Sequence, residues 1–408
     1  MTDPADTRPD RAGGDRCFIS DSDLRDLTAE LLAAGTEVIA PVAVDVCASP
    51  SAIASAACRM PGAAPIEIEY RALNDAAELD VGRGLPVLSL KSYFLPEHEA
   101  LFCWRQHGTQ IEIQQVATTF APRVILAAKP CDSAALAIVD KVMNWDYEDE
   151  LWNGRREATT IINMACPGID ESCFCTAVDL APDSTKGADG LLTPVEGGYL
   201  VEATTEKGRA LVAAHPARFE AAGDPAMVGR IRQAQAERAG ARSRVAANLE
   251  IDAGSVRDWI ATHFEDPMLA SLAIRCNGCG ACTSVCPTCH CFDLIDEEEG
   301  VGKGTRRRCW DTCQAGKFTL HASGHNPREN QGARYRQRLN HKFAIYPLKF
   351  GEVLCTGCGR CTRVCHAGQD LVEILAAIDV AARRPGAPAE TVEAASDTAS
   401  ADTAEVAP

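Results

Sequence analysis

Short apolar runs of strand length alternate with helical patterns in the first half of the chain. The strand-like runs cover residues 123–128, 160–165 and 198–203. Apolar residues recur at helical spacing over 133–143 and 206–214. Because the two patterns alternate, we expect residues 21–222 to form an α/β domain.

The remaining segments differ from this domain in their pattern. Residues 223–268 are rich in Ala, Arg, Gln and Glu, a composition that predicts a helical connector. Residues 269–385 hold twelve of the twenty cysteines and are expected to form a second domain, interrupted by an insertion at 287–354. Residues 1–20 and 386–408 lack apolar periodicity, so we expect both ends to be disordered, the second as an acidic tail.

Composition narrows the class of protein. The chain has 408 residues, of which 46% are hydrophobic and 24% charged, values that are ordinary for a soluble globular protein. Its net charge of -17 argues against a nucleic-acid binder. The first sixteen residues contain no apolar signal region, and we expect no membrane span. Twenty cysteines in such a chain favour a reducing, cytoplasmic compartment, where thiols serve metals or redox chemistry.

A duplicated cysteine spacing is the strongest chemical signal. The pattern C-x2-C-x2-C-x3-C occurs twice, at Cys276, Cys279, Cys282, Cys286 and at Cys355, Cys358, Cys361, Cys365. In this spacing the first three cysteines bind one [4Fe-4S] cluster and the fourth binds the other. We therefore predict two ligand sets, Cys276, Cys279, Cys282 and Cys365 for the first cluster and Cys355, Cys358, Cys361 and Cys286 for the second. The expected fold is an α/β domain, a helical connector and a ferredoxin-like two-cluster α+β domain.

Zinc is the alternative metal for four cysteines. Structural zinc sites are usually built from two C-x2-C pairs that a longer loop separates. A triplet with a displaced fourth cysteine, present twice, fits that arrangement poorly. One departure from the cluster pattern is His366, which stands where Pro287 follows the first run. That position shapes the loop and does not bind iron, so the predicted ligands are unchanged.

The insertion at 287–354 carries four more cysteines and a basic stretch. Cys289, Cys291, Cys309 and Cys313 are interpreted as loop or core thiols, because C-x-C and C-x3-C are uncommon cluster spacings, but metal binding stays open. Residues 303–349 contain eleven Lys and Arg and two acids. This stretch could dock an acidic partner or tune cluster potentials. No RNA-binding motif accompanies this stretch. We assign no metal to the histidines in or near it, which are His290, His321, His325 and His341.

Four further cysteines follow predicted strands of the α/β domain. Cys131 comes directly after residues 123–128, and Cys166, Cys173 and Cys175 follow the next strand. Because successive parallel strands end at one edge of a sheet, these thiols could converge on a third cluster. The alternative is a set of buried thiols with one reactive cysteine at a helix terminus. Both interpretations stay open.

The other sequence signals are negative. The cysteines without partner spacing, interpreted as ordinary residues, are Cys17, Cys47, Cys58 and Cys103. We find no Gly-rich dinucleotide fingerprint, no P-loop and no serine elbow, so neither NAD nor flavin is expected on this chain, and no catalytic residue is assigned. A reductase with its own flavin in the α/β domain remains an alternative. A redox sensor is another, although no helix-turn-helix pattern supports it.

Taken together, these residues resemble those of a known family over about residues 85–380. The motifs that carry the likeness are Lys91 to Glu99 (K-S-Y-F-L-P-E-H-E), Lys129-Pro130-Cys131-Asp132, Cys173-Phe174-Cys175, Cys286-Pro287-Thr288-Cys289-His290-Cys291-Phe292, Trp310-Asp311-Thr312-Cys313 and the second cysteine run. The chain resembles the iron-sulfur beta subunits of cytoplasmic sulfhydrogenases, which are bidirectional NiFe hydrogenases, and the corresponding iron-sulfur subunits of anaerobic sulfite reductases.

The resemblance implies a role inside a multisubunit oxidoreductase. Subunits of this family relay electrons between a flavin subunit that binds NAD(P)H and a catalytic subunit that holds NiFe or siroheme. Subunits of the same type also occur beside heterodisulfide reductase-like modules. The resemblance therefore implies an electron-transfer role more firmly than it implies a terminal acceptor.

Overall fold

The computed structural model describes residues 16–45, 66–82, 84–116, 119–168, 170–221 and 226–384. The expected acidic tail at 386–408, most of the expected disordered N-terminus, and Cys47 and Cys58 lie outside the described residues. The expectation of disorder over residues 1–20 is wrong for its last five residues, which form strand β1 (Arg16–Ser20). Cys17, Phe18 and Ile19 are buried there, because the strand pairs along its whole length with another strand of the main sheet.

The described residues form two sheets and several helices. The other strands are β2 Glu37–Asp45, β3 Ile66–Ala72, β4 His98–His107, β5 Gln110–Gln115, β6 Arg123–Ala128, β7 Thr159–Met164, β8 Gly190–Val195, β9 Gly198–Ala203, β10 Glu220–Ala221, β11 Phe292–Gly300 and β12 Lys303–Trp310. The α-helices are α1 Asp21–Ala33, α2 Lys91–Phe94, α3 Pro130–Met143, α4 Glu150–Ala158, α5 Glu206–Ala214, α6 Met227–Ala246, α7 Ala253–Thr262, α8 Pro267–Ser271, α9 Ala281–Ser284, α10 Gln331–Asn340, α11 Tyr346–Phe350, α12 Arg360–Arg363 and α13 Leu371–Ala382. Short 3₁₀ turns occupy Ala76–Glu78, Cys175–Val178 and Pro216–Arg218, and a π-helical segment spans His341–Ile345.

The main sheet has eight strands in the order β10-β1-β9-β8-β7-β6-β2-β3. Strands β2, β6, β7 and β8 run parallel to one another, and the flanking strands pair antiparallel. The parallel centre is almost entirely buried, as is usual where helices cover both faces. The strands and helices predicted in this region are confirmed, with β6, β9 and α5 matching their predicted ranges.

A second sheet joins parts of the chain that the sequence assigned to different domains. Its four antiparallel strands follow the order β11-β12-β4-β5, so the hairpin of the 287–354 insertion pairs with β4. Within this pairing Arg308 lies opposite Glu99, and both side chains are buried. Arg308 also forms an ion pair with Asp149, so a buried charge network fastens the insertion to the α/β region.

The predicted helical connector consists of α6 and α7. Helix α7 packs against α13, and the core between them includes Trp259, Ile260, Leu375 and Ile378. In the described part of the chain, no helix combines the length and apolar character that crossing a bilayer requires.

Candidate metal centre

The first predicted ligand set, which we call the first thiol group, lines one cavity. Its members are Cys276, Cys279, Cys282 and Cys365, and Cys361 borders the same space. Gln331 donates a hydrogen bond from Nε2 to the Cys276 sulfur at 3.2 Å, and the backbone N–H of Gln369 donates to the Cys365 sulfur at 3.3 Å. Cys279 is exposed. This group therefore lies beside the protein surface.

The second predicted ligand set, the second thiol group, is more deeply placed. Its members are Cys286, Cys355, Cys358 and Cys361. Thr288 Oγ1 lies 3.3 Å from the Cys286 sulfur and donates to the Leu354 carbonyl at 2.8 Å, which places Cys286 beside the start of the second run. Burial raises the pKa of Cys361 to about 12, and the charges of Cys286, Cys358 and Cys355 add to that rise. The backbone N–H of Gly357 donates to the Cys355 sulfur at 3.4 Å. Cys286 thus lies beside the second run and Cys365 beside the first, which is the crossed arrangement that the spacing predicts.

The four N-terminal cysteines, the third thiol group, also converge. A cavity of about 230 Å³ is lined by Cys131, Cys166, Cys173 and Cys175, together with Cys358 of the second thiol group. The remaining lining is mainly backbone and apolar side chains, among them Leu180 and Val245. The structure thus brings together thiols that are up to 44 residues apart in the sequence, from Cys131 to Cys175.

Local structure explains how these cysteines reach one place. Strands β6 and β7 are parallel neighbours, and their pairing shifts register between Ile125 and Ala128. Ala127 there has φ 56°, a left-handed conformation that is uncommon outside glycine. The chain then enters α3 with Pro130 in the first turn, a position that proline favours, so Cys131 lies at the start of the helix. At the end of β7 the backbone N–H of Cys166 donates to the Pro182 carbonyl at 2.9 Å.

The loop that carries Cys173 and Cys175 packs directly on the second cysteine run. The N–H of Phe174 donates to the Gly357 carbonyl at 2.8 Å, and the Cys173 thiol contacts the Cys358 carbonyl at 3.6 Å. A Cβ atom on Gly357 would lie 2.5 Å from the backbone of this loop. Glycine is therefore required there by close approach as well as by its φ of 60°.

A buried ion pair fastens the same two regions. Arg360 lies inside the second cysteine run and binds Asp132 in α3 with two hydrogen bonds. Tyr70 donates from its hydroxyl to Asp132 at 2.8 Å and accepts from the backbone N–H of Lys129. The start of α3, and with it Cys131, is thereby held against the second thiol group.

Three of the four insertion cysteines lie in close thiol pairs, Cys289 with Cys286 of the second thiol group and Cys291 with Cys313, and Cys309 is separate. A thiol–thiol hydrogen bond with Cys289 is the largest cause that lowers the pKa of Cys286. In the second pair, a hydrogen bond with Cys291 lowers the pKa of Cys313 to about 5, with further help from the Arg338 charge. Cys309 lies apart, 3.3 Å from His98 Nδ1 in the second sheet.

Three buried cations face these thiols. Lys342 donates from Nζ to the Cys286 sulfur at 3.4 Å, and Arg338 donates from Nη1 to the Cys289 sulfur at 3.4 Å. Lys91 donates to the Thr283 carbonyl and lies 3.8 Å from the centre of the Trp310 ring. Burial would lower the pKa of Arg338, but the surrounding thiols raise it well above its ordinary value.

About half of the basic stretch is paired or buried within the chain. Arg306 pairs with Asp296 across the insertion hairpin, and Arg307 pairs with Glu297. Both acids precede residue 303, so the count of charges over 303–349 missed them. Together with the buried Arg308, Arg338 and Lys342, these pairs account for five of the eleven basic residues of the stretch.

The remaining candidates have ordinary surroundings. His290 and His341 pack edge to face with ring centres 5.7 Å apart, as do His321 and His325 at 5.3 Å. Cys17 belongs to strand β1 of the main sheet and its side chain lies in the core, where burial raises the pKa of the thiol to about 12. Cys103 contacts the Thr305 hydroxyl at 3.5 Å.

The thiol spacing tests the choice of metal. Among the residues that the structure describes, no three Cys, His, Asp or Glu side chains are close enough to share a single metal ion. A [4Fe-4S] cluster instead binds each thiolate through a different iron, so its ligands surround a larger space. The donor set of the first and third thiol groups, four cysteines around a cavity, fits such a cluster better than it fits zinc.

The sequence pattern did not reveal several residues that shape these sites. Arg360, Arg338, Lys342 and Lys91 are buried cations, and their burial depends on contacts with distant segments. One signal was present: Arg338 and Lys342 are four residues apart in a helical region, which places them on one face.

Comparison with known proteins agrees with this chemistry. Residues 275–369 match the family model described as a 4Fe-4S dicluster domain. The chain is also similar to sulfhydrogenase 2 subunit beta of Pyrococcus furiosus, with 27% identity over 308 residues. That alignment covers 75% of this chain and 87% of the relative.

Proposed function

We propose that this chain is an electron relay in an oxidoreductase complex, because it is similar to a sulfhydrogenase beta subunit and its residues 275–369 match a 4Fe-4S dicluster domain. In this proposal it connects a flavin subunit that binds NAD(P)H with a catalytic NiFe subunit, in a reducing compartment. No disulfide joins the cysteines that the structure describes, which is consistent with such a compartment. The crossed arrangement of the first and second thiol groups is the observation that carries the proposal.

The ligands follow from that arrangement. We assign the first thiol group, Cys276, Cys279, Cys282 and Cys365, to one [4Fe-4S] cluster. The second thiol group, Cys286, Cys355, Cys358 and Cys361, is assigned to the other. When bound, each cluster takes up and releases one electron at a time.

The two proposed cluster sites lie next to each other, and one of them reaches the protein surface. Cys361 belongs to the second thiol group and borders the cavity of the first, so the two sites adjoin. The exposed Cys279 brings the first site to the surface, where another protein of the complex can approach. Arg338 and Lys342 place positive charge beside the thiols, which stabilises thiolates and any added electron in a buried environment.

The proposal is tested by anaerobic pull-down of the tagged full chain from its host, followed by assays of hydrogen uptake and sulfite reduction. A co-purifying NiFe subunit with hydrogen uptake is the expected result. A siroheme subunit, or a heterodisulfide reductase-like module, would keep the relay and change its terminal acceptor. A chain that binds no redox partner contradicts the relay and favours a redox sensor.

Single substitutions test the ligands in the same preparation. Cys279→Ser and Cys358→Ser are each expected to remove one cluster signal and to stop electron flow through the complex. Cys103→Ser is the matched control, because Cys103 lies in β4 away from the three thiol groups. Retention of both cluster signals in the two variants would refute the assignment.

A further inference from the structure

The third thiol group lies outside the 4Fe-4S dicluster domain, whose match covers residues 275–369. Its four cysteines come from the start of α3, the end of β7 and the loop before the 3₁₀ turn Cys175–Val178. All four side chains line the same cavity. Three separate segments thus deliver the same chemical group to one space, which is unusual for thiols that only fill a core.

The size of the cavity limits its occupant. At about 230 Å³ it is far larger than one water molecule requires. It is smaller than the roughly 300–1,000 Å³ of typical pockets for drug-sized ligands, so its volume suits a compact group better than a flavin nucleotide. A compact polynuclear group that binds several thiolates matches both the size and the lining.

The cavity lies beside the second thiol group, so a redox group bound in it would adjoin the second proposed cluster site. Cys358 lines the cavity and is also a neighbour of Cys361 in the second thiol group. The Cys173 thiol and the Cys358 carbonyl are 3.6 Å apart, so Cys358 borders both the second and the third thiol group. The three thiol groups therefore form a continuous series, in which Cys361 joins the first to the second and Cys358 joins the second to the third.

We propose that Cys131, Cys166, Cys173 and Cys175 hold a third iron-sulfur cluster, of the [4Fe-4S] type, which adjoins the second site and extends the relay. Its assembly is a ligand exchange in which a preformed cluster, delivered by the assembly machinery of the cell, leaves its carrier. Four iron–sulfur bonds to this chain form as the iron–thiolate bonds to the carrier break, the four thiol protons pass to the released carrier thiolates or to water, and no net oxidation occurs. The relay role of this cluster rests on the proposed function, whereas its presence does not.

The test is the iron and acid-labile sulfide content of the full chain, purified anaerobically from its host. Three clusters correspond to about twelve iron atoms per chain, and two clusters to about eight. The double variant Cys173→Ser/Cys175→Ser is expected to lose about four iron atoms while it keeps the paramagnetic signals of the other two clusters. Cys103→Ser is expected to lose none.

A second variant keeps the test possible if the double variant misfolds. If the double variant does not fold, as judged by circular dichroism, the single variant Cys166→Ala replaces it with the same expected loss. An iron content of about eight in the unaltered chain, or equal losses in Cys103→Ser and the cavity variants, overturns the proposal. The iron content of the chain does not depend on its partners. A chain with about eight iron atoms in an active complex would refute only the third cluster. A chain with about twelve iron atoms and no redox partner would refute only the relay.

Discussion

Arg360 and Asp132 form a two-point ion pair that is buried between the α/β region and the second cysteine run. Nη1 of Arg360 donates to Oδ1 of Asp132 at 2.6 Å, and Nη2 donates to Oδ2 at 2.8 Å. Nε of the same guanidinium donates to the Pro86 carbonyl at 2.8 Å. Since Arg360 is next to Cys361 and Asp132 is next to Cys131, the pair fixes the distance between the second and third thiol groups.

Asp132→Asn is expected to destabilise the protein strongly. The substitution leaves the Arg360 charge buried without its carboxylate, which typically costs about 3–5 kcal/mol. The measurement is the thermal midpoint under anaerobic conditions at a fixed scan rate. Arg306→Gln is the control, because it removes an exposed pair with Asp296 that water and salt screen, so the midpoint should hardly move. Equal decreases of the thermal midpoint in the two variants would show that the buried pair stabilises the protein no more than the exposed pair does.

Gly357→Ala is expected to displace the loop that carries Cys173 and Cys175. The new methyl group would meet the backbone of Phe174 and Cys175 at about the 2.5 Å separation that the structure shows, and neither backbone can yield without moving its cysteines. Gly197→Ala is a matched control with φ 81° and open space around it, so it bears only the left-handed backbone cost of roughly 1 kcal/mol.

The measurement for this pair of variants is iron content together with thermal midpoint. Gly357→Ala should lower both, and Gly197→Ala should lower the midpoint slightly and leave the iron content unchanged. If both variants keep the iron content of the unaltered chain, the loop does not depend on close approach at Gly357.

Arg338→Gln is expected to make the cluster potentials more negative. The guanidinium is buried beside Cys289, and its charge acts on Cys282, Cys286 and Cys361. A buried cation favours the reduced, more negative form, so its removal lowers the potential by on the order of 50–100 mV, or about 1–2 kcal/mol for one electron.

The measurement is a redox titration followed by electron paramagnetic resonance. Arg336→Gln is the control on the same helix, because its partner is the exposed Glu265. A purely structural role of Arg338 would lower cluster occupancy without shifting the midpoint potential, and that outcome would contradict the electrostatic account.

His341 is expected to make stability fall in mild acid. Burial, with the charges of His290 and Lys342, lowers the pKa of His341 to about 4 from its ordinary value of 6.5. Between these values the unfolded chain binds more protons than the folded chain, so stability is complete above pH 6.5 and declines as the pH falls toward 4. At pH 5.5 the loss from this group should be about 1 kcal/mol relative to pH 7.5.

The measurement compares thermal midpoints of the unaltered chain and His341→Asn at these two pH values. The variant should lose less stability between them, because the titrating group is gone. An identical decrease in both proteins would assign the acid sensitivity to other groups, such as the protonation of cluster ligands.

Much of the local structure and chemistry was determined by the sequence itself. Strands β6 and β9 and helix α5 occupy their predicted residues, because apolar periodicity is a local property that the folded chain retains. The spacing of the two cysteine runs also predicts that each fourth cysteine lies beside the other run, and the structure places Cys286 and Cys365 in this way, while their binding of clusters stays a prediction. Disorder at residues 16–20 was predicted wrongly, since the pairing partner of that strand lies almost 180 residues away at β9.

Only the tertiary structure decided how distant segments meet. Spacing could not choose between scattered thiols and one cavity for Cys131, Cys166, Cys173 and Cys175, because their convergence depends on the parallel pairing of β6 with β7 and on the packing of a loop against Gly357. The same holds for the cations beside the thiols and for the Asp132–Arg360 pair. Burial and charge pairing are products of long-range packing, and a list of residues along the chain does not contain them.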